Sequence, residues 1–182
     1  MTQYRRKRVP GATYFFTVNV LDRRGRLLVE RVDDLRAAVA PFRVDAWVVL
    51  PEHLHCIWTL PEGDGDFSRR WRLIKGGFSA RVPKARYRSA SRGAKGERGI
   101  WRRRFWQHTI RDARDNAAHR DYVHFNPVKH GLVVRAADWP YSSFQRAARM
   151  GLYPADWGEG DEAPGVFGER CGWGCVECPF KG

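Results

Sequence analysis

Residues 43–60, RVDAWVVLPEHLHCIWTL, hold two apolar, β-rich runs broken only by Pro51-Glu52. Proline cannot donate to a strand ladder, so the runs read as two strands joined by a hairpin or tight turn. The second strand opens with His53-Leu54-His55. Side chains at i and i+2 of a strand share a face, so the two imidazoles project together, as two ligands of one cation must. A strand histidine is more often a satisfied core or surface residue than a ligand. The pair alone leaves metal binding and packing both open.

The rest of the chain supplies a frame for that hairpin. TYFFTVNVL, residues 13–21, reads as a first strand opened by the Pro10-Gly11 turn. RVDDLRAAVAPF, residues 31–42, reads as a helix with Val32, Leu35, Val39 and Phe42 on one face and Pro41 closing it. After the hairpin, DFSRRWRLIKGGFSARV, residues 66–82, reads as a basic helix in which Phe67, Trp71, Ile74 and Phe78 recur at helical spacing. Residues 84–100 are polar and Gly/Ser-rich and read as a flexible basic loop. IWRRRFWQHTI, residues 100–110, returns to strand character, and a helix follows from about Asp112 to His124.

The order is β-α-β-β-α-β and then a further helix. This is the split pattern of an α+β, ferredoxin-like fold: an antiparallel sheet with helices on one face, plus an extra C-terminal helix carrying Tyr122. The other sheet face would leave His53 and His55 open to substrate. One domain is expected over residues 1–154, with 1–12 as a basic arm and 155–182 as an acidic, Gly- and Cys-containing tail.

Charge narrows the partner. The chain carries 33 Lys/Arg against 20 Asp/Glu, a net +13, and the excess is uneven. Residues 69–104 hold fourteen bases and the single acid Glu97, whereas residues 155–182 hold six acids and two bases. A basic field concentrated in one segment points to a polyanion, nucleic acid first and a membrane surface second. No apolar run approaches the ~18 residues of a membrane span, and the basic start lacks a signal-peptide plan, so a cytoplasmic location is expected. Cys56 reads as a small core residue. Cys171, Cys175 and Cys178 have two knuckle-like spacings, but a closed zinc site needs four ligands and no histidine lies near them.

The chemistry-bearing residues of the last helix complete a set. Tyr122 and Asn126 are four apart and share a face, with His119 three residues before Tyr122 on the same side. Asn126 precedes Pro127, which places it at a helix end. Singly, Tyr122 reads as a core tyrosine and Asn126 as a cap. Together with the histidine pair they make the parts of a phosphoryl-transfer site. A metal held by His53, His55 and Asn126 would act as a Lewis acid on a phosphate. A tyrosine hydroxyl, with its pKa near ~10, becomes a nucleophile when charge on the phosphate is neutralised or a base stands near.

These segments resemble a known family. PEHLHCIWTL resembles the His-hydrophobic-His motif of the HUH single-strand DNA endonucleases. HRDYVHFNPVKHGLV, residues 119–133, resembles the tyrosine motif of the REP-associated tyrosine transposases, a branch of the single-tyrosine HUH transposases. RRKRVPGATYFFTVNVLDRRGRLL, WRRRFWQHTIRD and DWPYSSF agree as well, so the likeness runs from about Tyr4 to Tyr153 and leaves out the cysteine tail.

The resemblance implies a metal-dependent endonuclease and strand transferase. Its partner would be single-stranded DNA with palindromic, REP-type hairpins, and it would work through a 5′-phosphotyrosine intermediate. Carried over, His53 and His55 are metal ligands, Asn126 the third ligand and Tyr122 the nucleophile, with His119 assisting it. The ion would be Mg²⁺ or Mn²⁺, and imidazole ligands favour Mn²⁺. The protein would be a nucleoid-associated monomer, with a dimer as the alternative. From charge, Arg5, Arg6, Lys7 and Arg8 would lie along the DNA, Arg69, Arg70, Arg72 and Lys75 would contact phosphates, and Arg102, Arg103 and Arg104 would help clamp the hairpin. Two rival readings stay open: a catalytically silent hairpin-binding protein, and a metal phosphodiesterase that uses water.

Overall fold

The computed structural model describes residues 8–84, 89–154 and 156–158. Arg5, Arg6, Lys7 and the three tail cysteines lie outside the described residues. The chain runs through β1 (Thr13–Asn19), α1 (Leu27–Glu30), α2 (Val32–Val39), β2 (Ala46–Val49) and β3 (His53–Thr59). It continues through α3 (Phe67–Arg81), α4 (Ala90–Ala94), β4 (Trp106–Thr109), α5 (Ala113–Lys129), a 3₁₀ turn (Ala136–Asp138) and α6 (Phe144–Arg149).

The four strands form one antiparallel sheet in the order β2-β3-β1-β4. This is the α+β arrangement expected from the sequence, with β1 and β3 at its centre. Alternation along these strands sorts the core. Tyr14, Phe16, Cys56 and Trp58 share one face, and there the helical stripe Phe67, Trp71, Ile74 and Phe78 of α3 is buried against them. Trp58 and Trp71 stack with ring centroids 4.7 Å apart. α2 packs beside α3 and adds Leu35 to this layer.

The opposite face is not open. α5 lies over β2 and β3 there, so β3 is buried along its whole length except Thr59. That explains its nearly continuous apolar run, which one solvated face would not require. The expectation of helices on one face only, with the histidines exposed on the other, is corrected: α5 covers the second face, and His53 and His55 are 5% and 2% exposed beneath it.

α5 also ends later than expected. Pro127 lies inside the helix, which continues to Lys129. The stop is Gly131, at φ 63°, the left-handed position that costs glycine little. Its N–H donates to Val128 O at 2.8 Å and that of Leu132 to Pro127 O at 2.9 Å, the paired bonds of a Schellman terminus. Residues Tyr122 to Pro127 are all buried, and that packing holds Asn126 helical against the bias of the following proline.

Other segments depart from expectation in smaller ways. β1 stops at Asn19, and Val20 makes only an isolated bridge to Trp101. Of residues 100–110, only Trp106–Thr109 is strand. The segment read as a flexible loop carries α4, and Arg92 and Arg103 both pair with Glu97 beside it. The outer edge of β2 is covered by residues 141–143, where Ser143 N donates to Trp47 O and Val49 N to Tyr141 O. A sheet edge closed in this way cannot recruit another strand.

Candidate active site

The centre of the candidate site is the junction of β1, β3 and α5. Asn19 pairs with His53 and Thr17 with His55, which fixes both histidines on the α5 side of the sheet. His53 Nδ1 donates to Glu52 Oε1 at 3.1 Å, and Arg23 lies 3.6 Å from the same oxygen. Burial pushes the Glu52 carboxyl up, but the hydrogen bond and charge of His53, with Arg23, reverse this and hold it at about 2. His55 Nδ1 is bonded to Thr17 Oγ1 at 3.0 Å. The remaining ring nitrogen of each, Nε2, is the one a metal would take.

Burial holds the His55 ring well below the usual histidine range, aided by His53, His130 and the Lys129 ammonium, with Asn126 alone opposing. A neutral imidazole is the state that ligates a cation. His130 is exposed but packs edge-on to His53, centroids 5.3 Å apart, and partial desolvation of its ring there, together with the charge of His53, lowers its pKa.

Tyr122 meets this pair from above, its ring 5.2 Å from that of His55 and 5.9 Å from Phe15. Asn126, one turn on, is fully buried. Its Nδ2 donates to Tyr122 O at 3.3 Å, while its Oδ1 is buried with no hydrogen-bond partner. A buried acceptor without a donor costs about 1–3 kcal/mol, which a cation at that oxygen would offset. The fold therefore brings His53, His55, Tyr122 and Asn126 together, and the donor set of two imidazoles and an amide oxygen fits a divalent ion.

His119 is held differently. Its Nδ1 lies 2.8 Å from Asp115 O and 3.0 Å from the Asp115 carboxylate, and its ring stacks on His108 at 4.6 Å. His108 Nε2 donates to Asp115 Oδ2 at 2.8 Å, and Arg111 contributes its backbone N–H to the same oxygen. Burial would raise the Asp115 carboxyl, but the bonds from His108 and Arg111 bring it to about 2. Among the described residues these three are the His/Cys/Asp/Glu group with ligand atoms close enough to share an ion, all within 4.8 Å. The Arg111 guanidinium, 3.3 Å from Asp115, opposes a second cation there, and the group is closed by its own hydrogen bonds.

The basic residues divide. Arg69, Arg72, Arg103 and Arg104 are exposed. Arg8 is 3.8 Å from Asp66. Arg70 is bound to Asp64 at 2.7 Å and lies over the Phe42 ring. Lys75 donates to Arg102 O at 2.9 Å between the Trp101 and Phe105 rings, and Arg103 pairs with Glu97.

Several contributors were not read from sequence. Lys129 Nζ lies 3.5 Å from Tyr122 Oη and 4.7 Å from its ring centroid, and a spacing of seven residues, two helical turns, was its available signal. Thr17 and Asp115 had none, because each depends on strand register or on a helix meeting the edge strand.

No family model matches the chain. A REP-associated tyrosine transposase of Escherichia coli (strain K12) is 48% identical over 176 residues, covering 93% of this chain and 98% of that protein. A relative from Haemophilus influenzae bearing the same family name is 42% identical over 165 residues, covering 87% of this chain and 94% of its own. A solved structure of a REP-associated tyrosine transposase bound to a REP hairpin is similar with a TM-score of 0.73 and 46% identity, over 92% of this chain and 99% of that one. Among the described residues, no helix is long and apolar enough to cross a membrane.

Proposed function

The chain belongs to the REP-associated tyrosine transposase family, and on that premise we propose that it cleaves and rejoins single-stranded DNA at REP-type palindromic hairpins. The reading rests above all on one observation. Tyr122 packs against His55 while the neighbouring Asn126 Oδ1 is buried without a hydrogen-bond donor.

In this reading Tyr122 Oη attacks the scissile phosphorus. An O–P bond forms to tyrosine, the bond to the 3′ oxygen breaks, and that oxygen leaves as a 3′-hydroxyl. The resulting 5′-phosphotyrosine conserves the bond energy, so a later 3′-hydroxyl rejoins the strand. His53, His55 and Asn126 would hold Mg²⁺ or Mn²⁺, which when bound supplies Lewis-acid polarisation of a phosphate oxygen. Glu52 and Thr17 orient the two imidazoles. Lys129 places a positive charge beside the Tyr122 hydroxyl, and His119 assists from one turn earlier. The imidazole donors favour Mn²⁺ as the better supporting ion in vitro. Exposed Arg69, Arg72 and Arg104 would contact phosphates, together with the Arg5 to Arg8 arm. The protein would work in the cytoplasm, nucleoid-associated, as a monomer.

The test is incubation with a labelled hairpin-bearing single-stranded DNA and Mn²⁺, followed by denaturing electrophoresis. A denaturation-resistant protein–DNA adduct that disappears in Tyr122→Phe is expected. Cleavage without an adduct would point to water as the nucleophile, and binding without cleavage to a silent hairpin-binding protein.

A further inference from the structure

The edge strand β4 presents an aromatic ring that the fold does not account for. Trp106 is 42% exposed, and it is the only aromatic among the exposed large hydrophobics of the described residues. Sheet edges usually carry charge or short polar side chains. Trp106 stands opposite Thr17, which in turn stands opposite His55, so the three form one cross-strand row on the α5 face of the sheet. Two inter-strand spacings, about 10 Å, separate its backbone from that of His55.

The ring is also held in place. Trp106 lies within 8° of parallel to His108, and His108 within 11° of parallel to His119. Asp115 clamps both imidazoles through its carboxylate, and Phe15 meets Trp106 edge-on at 5.6 Å. The result is a ladder of near-parallel rings that begins buried at His119 and ends exposed at Trp106. The exposed guanidinium-bearing residues Arg103 and Arg104 lie just before it in the chain, separated from it by Phe105.

We propose that Trp106 is the stacking platform for an unpaired nucleobase of the DNA strand that passes the His53/His55 site, with the His108–Asp115–His119 cluster holding that platform rigid. Every base has a π-face, so stacking grips a single strand without reading its sequence. A ring already fixed by its neighbours loses little freedom on binding. A base-paired stem keeps its bases stacked on each other, so the platform selects the single-stranded flank of a hairpin. The inference rests on the proposed action on single-stranded DNA.

The probe is a palindromic hairpin DNA with a single-stranded flank on each side, and a series in which one abasic position is walked along each flank. Wild-type protein is expected to lose roughly tenfold in affinity at one abasic position. Trp106→Ala is expected to bind the intact probe roughly tenfold more weakly and to be indifferent to that position, with Trp106→Phe between the two. Asp115→Asn, which loosens the clamp, is expected to shrink the abasic effect while leaving binding to a flankless stem unchanged. Thermal melting of each variant separates misfolding from lost stacking. Equal affinities and equal abasic profiles for wild type and Trp106→Ala would overturn the inference and leave the transposase reading intact. Failure of the wild-type protein to bind any flanked hairpin would overturn both.

Discussion

The ring of Tyr122 on α5 stands edge-on to the imidazole of His55 on β3, their centroids 5.2 Å apart. The proposed nucleophile and a proposed metal ligand are thus fixed relative to each other by a buried contact between a helix and the sheet. Tyr122 is 8% exposed and belongs to the hydrophobic core cluster, so one side chain serves both packing and chemistry. Tyr122→Phe keeps the ring and should change stability by less than about 1 kcal/mol while abolishing the covalent adduct. Tyr122→Ala should lose the adduct and also about 3 kcal/mol of stability. Denaturant unfolding beside the adduct assay separates the two effects.

Asn126 should show the opposite pattern. Leucine in its place removes an acceptor that is buried without a partner, so unfolding in the absence of divalent ions should occur at the same or a higher denaturant concentration. Adduct formation with Mn²⁺ should fall at least tenfold. A stability gain with lost activity is the signature of a residue kept for chemistry rather than for the fold.

Acid should weaken the fold through Asp115. Its carboxyl ionises at about 2 in the folded protein against 3.8 for the unperturbed group. A depressed carboxylate contributes stability that is fully present above pH 4 and is lost as pH falls from there through 2. Asp115→Asn should cost on the order of 2 kcal/mol at neutral pH, because His108 and His119 lose a charged acceptor. It should also flatten the decline between pH 4 and 2, measured as urea midpoints across that range.

Two of the α3 arginines, Arg70 and Arg72, should separate binding from folding. Arg70 is tied to Asp64 and packs over Phe42, so Arg70→Ala should cost about 1 kcal/mol of stability. Arg72 is exposed, and Arg72→Ala should melt as the wild type does. If Arg72 contacts one phosphate, its loss should lower the slope of log affinity against log salt by about 1.

Gly131 ends α5 at φ 63° with no heavy atom within 4 Å of an added Cβ. Gly131→Ala should therefore cost about 1 kcal/mol from backbone conformation alone. Because the stop sits just past Lys129, adduct yield should fall along with thermal stability, and comparing the two by calorimetry and gel checks this.

Local chemistry was legible in the sequence. Strand alternation put His53 and His55 on one face, helical spacing put Tyr122 and Asn126 on another, and the stripe of α3 named its own core residues. These patterns follow from the 2.0 and 3.6 periods of the backbone, which neighbours along the chain dictate. Pro127 suggests an end to α5 that the helix does not obey, whereas Gly131 carries the stronger signal for a left-handed terminus. What stayed out of reach depends on residues far apart in sequence. Only strand register sets Thr17 behind His55 and Trp106 in their row, and only the docking of α5 against the sheet buries the histidines and orphans the Asn126 oxygen. Such pairings are decided by which faces bury the most apolar surface against each other, a property of the packed molecule that no local window of the chain contains.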